Sequence, residues 1–91
     1  MYKLGETIRT AYGQDGAVAL DIRQGRMFNL NLVGSRILEL LQDGSTESEI
    51  ANRISREFNV GRDVAGNDLQ EFLQTLNKYH LVEQGEPGVR I

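Results

Sequence analysis

The sequence predicts an α+β fold in which a three-stranded antiparallel β-sheet is followed by three helices, a winged helix-turn-helix-like content with the sheet placed first. Three observations carry this. Apolar residues alternate with others up to residue 30, as in half-buried strands, and then recur three and four residues apart, as on one face of a helix. Glycines at 13, 16 and 25 punctuate the alternating part. Beyond residue 31, three helical stripes are separated by Asp43 and Gly44 and by a polar loop at 59–62.

Residues 1–5 carry no pattern and are expected to be loose. Residues 7–12 read as a first strand with Ile8, Thr10 and Tyr12 on one face. Gly13, Gln14, Asp15 and Gly16 turn the chain back, and residues 17–23 and 26–31 complete the meander. The loop between these two strands sets their register. A two-residue turn at Gln24 and Gly25 would place Ile22 opposite Met27 and send Phe28 and Leu30 to the face away from Val18 and Leu20. A three-residue loop at 23–25 pairs Leu20 with Phe28 and Val18 with Leu30, and it puts Gly25 where a positive φ is required. The second register is preferred. Its apolar face is Val18, Leu20, Ile22, Phe28 and Leu30, its other face shows Ala17, Ala19, Asp21, Met27 and Asn29, and Asn31 follows as a helix N-cap.

A sheet of this size needs helices over its apolar side. Residues 32–42 put Val33, Ile37, Leu40 and Leu41 on one stripe, ended by Asp43 and Gly44. Thr46 with Glu49 is a capping box that opens a second helix to about Asn59, with Ile50, Ala51, Ile54 and Phe58 inward. The third helix has two candidate starts: Asp63, or the residue after Gly66, capped by Asn67 with Gln70. The earlier is preferred, with a weak first turn. Leu69, Phe72, Leu73, Leu76, Tyr79 and His80 sweep an arc of ~120° at ~100° per residue, and His80 takes the left-handed position that closes the helix. Residues 85–91, which hold the sole proline, are expected to be a disordered tail, so residues 1–84 make one domain.

Composition excludes most chemistry. Without cysteine there are no disulfides, thiolate metal sites or cysteine nucleophiles, a composition that fits a reducing compartment. The single histidine, His80, has no acid or nucleophile near it in sequence and reads as a helix-terminal residue. No phosphate loop, dinucleotide fingerprint, H-E-x-x-H or calcium loop occurs, and Glu47 with Glu49, or Asp63 with Asp68, are helix-start charges rather than metal ligands. A binding protein with no cofactor, no metal and no catalytic residue is expected. No run approaches the ~20 apolar residues that span a bilayer, so a soluble, cytoplasmic protein without a membrane partner is expected.

Thirteen acidic residues against ten basic ones, a formal charge of −3, oppose nucleic acid as the partner. The solvent side of the third helix agrees. It offers Asp63, Asn67, Asp68, Gln70, Glu71, Gln74 and Thr75 with Lys78 alone basic, and a recognition helix so charged would be repelled by phosphates.

The remaining surface is an edge of the sheet. The outer strand Arg26, Met27, Phe28, Asn29, Leu30, Asn31 has only Arg26 as a guard against strand addition. An extended peptide could pair there. Equally, Phe28 and Leu30 are core and the edge is covered by a terminus or by a second copy; from residue pattern alone the two readings weigh the same.

Residues 21–41, DIRQGRMFNLNLVGSRILELL, resemble the D-x-R-x-G-x-x-F-x-L-N…G-x-x-I-x-x-L-L pattern of the PqqD-like family, peptide-recognition domains of ribosomal peptide biosynthesis. Thr46, Glu49, Ile50, Phe72, Leu73, Leu76 and Leu81 continue the likeness, with Leu32 where many relatives have proline. The resemblance implies that the leader of a precursor peptide adds as a strand antiparallel to residues 26–31, in a cleft closed by the third helix. Leu69, Phe72, Leu73, Leu76 and Tyr79 are then the wall candidates. Leu69 and Leu76 are central in the arc and read as core, whereas Phe72 and Tyr79 on one flank, or Leu73 on the other, can reach a groove. The free-standing form is most similar to the B1 proteins of lasso-peptide pathways, which implies delivery of the leader to a separate leader peptidase or other maturation enzyme. The alternatives are a peptide chaperone of pyrroloquinoline quinone biosynthesis, a winged-helix DNA-binding regulator, and a dimer built edge to edge.

Overall fold

In the computed structural model, which describes residues 2–84 and the side chains of 4–82, eight elements follow one another. They are β1 (Tyr2–Leu4), β2 (Ile8–Gly13), β3 (Gly16–Asp21), β4 (Arg26–Leu30), α1 (Leu32–Gln42), α2 (Glu47–Phe58), α3 (Arg62–Lys78) and β5 (Val82–Gln84). The meander β2-β3-β4 and the three helices are the expected α+β arrangement. The expected tail at 85–91 lies outside the described residues.

Residues 2–4 differ from expectation. Instead of being loose they pair antiparallel with β5, Leu4 opposite Val82. The end of α3 makes this possible. His80 takes φ 59°, the Leu81 N–H donates to the Leu76 carbonyl (2.8 Å) and the His80 N–H to the Asn77 carbonyl (3.1 Å), which satisfies the last carbonyls of the helix and reverses the chain. Leu81 and Val82 are thereby buried, and the Gly5 N–H donates to the Leu81 carbonyl at 3.0 Å.

The register of β4 on β3 also differs from expectation, by one residue. Leu20 faces Met27, Ala19 faces Phe28 and Ala17 faces Leu30, so the loop is residues 22–25. Phe28 and Leu30 lie on the helix side as expected, but the residues of β3 beside them are Ala17, Ala19 and Asp21, while Leu20 and Ile22 are 40% and 54% exposed on the opposite face. Asp21 builds this longer loop. Its carboxylate accepts the Gln24 N–H (3.1 Å), its carbonyl accepts the Gly25 N–H (2.8 Å), and Gly25 holds φ 67°. The two alanines let α1 settle closely on β3, where Ala19 joins the core. At the other turn Gly16, at φ 145°, passes so near the Leu30 carbonyl that any side chain would overlap it.

The helix starts follow from local chemistry. The Asn31 Oδ1 accepts the Gly34 N–H at 2.8 Å to open α1, and Thr46 and Glu49 form the expected capping box on α2. Gly44 at φ 85° closes α1 and Asn59 at φ 54° closes α2, while α3 begins at Arg62, close to the earlier candidate start. The core centres on Ile37, Leu38, Ile50, Ile54, Leu69, Leu73 and Leu81; Leu38 is an addition to the expected stripe of α1. Arg36 of α1 grips Glu57 of α2 through two hydrogen bonds, at 2.8 and 2.9 Å, and these hold the Glu57 carboxyl below its ordinary range. No helix among the described residues is long and apolar enough to cross a membrane.

Candidate functional site

β4 is an outer strand that pairs only with β3 among the described residues. Which of its backbone groups face outward follows from the turns. Gly13 and Gly16 flank a two-residue turn and so exchange both ladder bonds, which turns the even-numbered residues of β3 toward β2 and the odd-numbered ones toward β4. The Ile22 N–H, donating to the Thr7 carbonyl at 3.1 Å, continues that alternation. Ala17, Ala19 and Asp21 therefore bond Leu30, Phe28 and Arg26. Met27 and Asn29 are left with both N–H and C=O at the open edge.

Side chains alternate as well. Phe28 and Leu30 point toward the helices, half-buried, whereas Met27 and Asn29 are exposed on the outer face and can serve a partner in the cleft through backbone alone. Asn31 is committed to capping α1.

The wall opposite Phe28 is the C-terminal half of α3. The Tyr79 ring lies 5.2 Å from that of Phe28, inclined at 51°. The Arg26 guanidinium rests on both rings, 5.4 Å from Phe28 and 5.6 Å from Tyr79. It also donates to the Tyr79 carbonyl (3.2 Å) and pairs at 3.4 Å with Asp21, whose side chain is 5% exposed. Arg26, a ladder candidate and the guard of the edge in the sequence, also ties β4 to the end of α3.

Further along, a cleft of about 330 Å³ opens between the start of α1 and α3, lined by Asn31, Val33, Gly34, Ile37, Asp68, Glu71, Phe72 and Thr75. Gly34 sets its width, because a Cβ there would stand 2.9 Å from the Phe72 ring. The cleft reaches β4 through Asn31, the residue that follows the strand, and the Phe28–Tyr79 pair joins the same strand to the end of α3.

The wall candidates now divide. Phe72 and Tyr79 are half-buried, Phe72 lining the cleft and Tyr79 against Phe28 of β4. Leu69, Leu73 and Leu76 are 1%, 2% and 2% exposed, so they back the wall from the core and do not line it. For Leu73 this corrects its candidacy, because its flank is covered by the rest of the core. Sequence reasoning missed Gly34 as a spacer; Asp68, Glu71 and Thr75 are exposed, as the reading of a solvated face has it, and they also border the cleft. Their signal was the spacing 68, 71, 72, 75, one helical stripe that is polar except for Phe72. Among the described residues no group of three or more His, Cys, Asp or Glu side chains could hold a metal.

The sequence profile of the family described as "Coenzyme PQQ synthesis protein D (PqqD)" matches residues 16–82. The chain belongs to the PqqD family. Two solved structures share its fold closely. TbiB1 in complex with the TbiA(beta) leader peptide is 34% identical, the match covering 92% of this chain and 98% of that one with a TM-score of 0.84. A lasso peptide synthetase B1 complexed with the leader peptide is 26% identical, the match covering 91% and 98% of the two chains, again with a TM-score of 0.84. A comparison with curated proteins finds no significant match. Both B1 relatives of this PqqD-family chain thus carry a leader peptide in their structures.

Proposed function

We propose that this chain binds the leader segment of a ribosomally made precursor peptide by β-strand addition at β4 and delivers it to a separate maturation enzyme, a leader peptidase in a lasso-peptide pathway. The observation that carries the reading is the open edge itself: Met27 and Asn29 present two donors and two acceptors next to a groove walled by Phe28, Phe72 and Tyr79. Main-chain bonds give such a complex its affinity, and every second side chain of the added strand enters the groove and gives specificity. The five residues of β4 match a peptide stretch of about 17 Å. The chain performs no bond chemistry; it raises the effective concentration of the precursor and fixes its register on the enzyme. The relative described as a lasso peptide synthetase B1, solved with the leader peptide, supports the lasso-peptide assignment over the pyrroloquinoline quinone chaperone.

The test is an NMR titration of the labelled protein with leader peptides of lasso-peptide precursors. The Met27 and Asn29 amides become protected from solvent exchange and the Phe72 and Tyr79 rings shift. Binding that leaves β4 unprotected, or binding of duplex DNA with no binding of precursor, overturns the proposal. Salt gives a second readout: peptide affinity changes little, whereas a duplex-binding protein loses about 10³–10⁵ in affinity between ~50 and ~200 mM.

A further inference from the structure

The groove beside β4 is electrically uneven along its length. At the Arg26 end, the guanidinium lies over Phe28 and Tyr79, and the Lys78 Nζ stands 5.6 Å from the Tyr79 ring. The carboxylate at that end, Asp21, is buried and already faces Arg26 and the Gln24 N–H. At the other end α3 presents Asp68 and Glu71, both exposed, to the cleft beside Phe72. Among the described residues neither carboxylate has an ion-pair partner, and every other residue lining the cleft is uncharged.

Resting on the reading of β4 as the docking edge, we propose that Asp68 and Glu71 are specificity-determining residues, which select leaders carrying a lysine or arginine in the segment that passes Phe72. Tyr79 and Glu71 are eight residues apart on α3, about 12 Å at 1.5 Å per residue. An extended peptide covers that span in about three or four residues. Side chains that enter the same groove are an even number of residues apart, so the basic residue stands four positions from the side chain that meets Phe28 and Tyr79. A peptide added antiparallel to β4 reaches the Asn31 end with its N-terminal part, so the basic residue precedes the apolar one. A leader added in the reverse direction would carry its cation toward Arg26 and Lys78 and leave Asp68 and Glu71 unpaired. The uneven charge thus reads strand direction as well as composition, which backbone bonds alone do far less well.

The experiment pans a display library of random peptides of about twelve residues, long enough to overrun β4 at both ends. Three proteins are compared: the wild type, Asp68→Asn with Glu71→Gln, and Asp68→Lys with Glu71→Lys. Both positions are exposed, and matching thermal melts confirm that the variants are folded. The wild type enriches Lys or Arg about three- to fivefold at a fixed offset before an apolar residue, the scale of an exposed charge pair. The neutral variant loses that bias and the reversed variant exchanges it for Asp or Glu. Enriched peptides that share apolar residues without a charge bias, or a bias that survives neutralisation, overturn the inference while leaving strand addition intact. If none of the three proteins enriches any peptide, strand addition itself falls and this inference with it.

Discussion

Asn29→Pro separates the open edge of β4 from its bonded one. The Asn29 N–H points outward, so a proline there removes a group that β3 does not use, and an edge strand tolerates the fixed φ. The preceding residue is already extended, as a residue before proline must be. The melt of the free protein should therefore stay near that of the wild type. Binding should not. One lost backbone bond is worth about 0.5–1.5 kcal/mol, and the peptide carbonyl left without a donor in the groove adds about 1–3 kcal/mol. Leader affinity measured by calorimetry is expected to fall at least tenfold and up to about a thousandfold, since ~1.4 kcal/mol is a factor of ten. Two controls bracket the variant. Asn29→Ala keeps the backbone donor and should bind like the wild type. Phe28→Pro breaks the bond to Ala19 and deletes a half-buried ring, so it should fail to fold. A folded Asn29→Pro protein that binds leader at wild-type affinity would refute strand addition at this edge.

Three further outcomes follow from the same geometry. Gly34→Ala improves the helix propensity of α1 by about 1 kcal/mol but forces the Phe72 ring to move, so melts should hold or rise while leader affinity drops several-fold. Leu38→Ala empties the centre of the core and should destabilise the protein by about 2–5 kcal/mol, lowering the melting midpoint by more than about 10 °C. The hydrogen bonds from Arg36 lower the Glu57 carboxyl below its ordinary value of 4.5; a depressed folded-state value means the stabilisation is complete above pH 4.5 and is lost as pH falls through it. Melts between pH 6 and pH 3 should show that loss, and Arg36→Met should reduce it.

Features decided within four or five residues were legible in the sequence. The Asn31 cap, the Thr46–Glu49 box, Gly25, Gly44 and the left-handed His80 each depend on near neighbours, and each is in place. Features decided by distant partners were not. Three-residue strands carry no periodicity, and the pairing of β1 with β5 joins positions about eighty residues apart. On β3 the pattern offers two faces, and hydrophobicity ranks Val18, Leu20 and Ile22 above Ala17, Ala19 and Asp21. Space and loop chemistry decide the other way. Asp21 is needed beneath its own loop, and the alanines fit under α1 where larger side chains would hold the helix off.

That reversal on β3 is also what leaves β4 open. With small residues at 17 and 19 the helix layer settles over β3, and α1 packs against β3 more extensively than against β4. β4 then projects toward the margin of the layer, which keeps Phe28 and Leu30 half-buried where a central strand would bury them fully. The composition of residues 26–30 showed that Arg26 is the sole guard of the edge, but which flank of α3 faces it depended on this offset. Phe72 and Leu73 are adjacent on the helix, and only the placing of the neighbouring elements decides that Phe72 lines the cleft while Leu73 looks into the core. The closing turn at His80 adds the last part, since it ends α3 where Arg26 can donate to the Tyr79 carbonyl and where the Tyr79 ring lies against Phe28. An added strand would complete the cover over Phe28 and Leu30 that the chain's own helices leave unfinished, so the apolar burial missing from the free protein is available to binding.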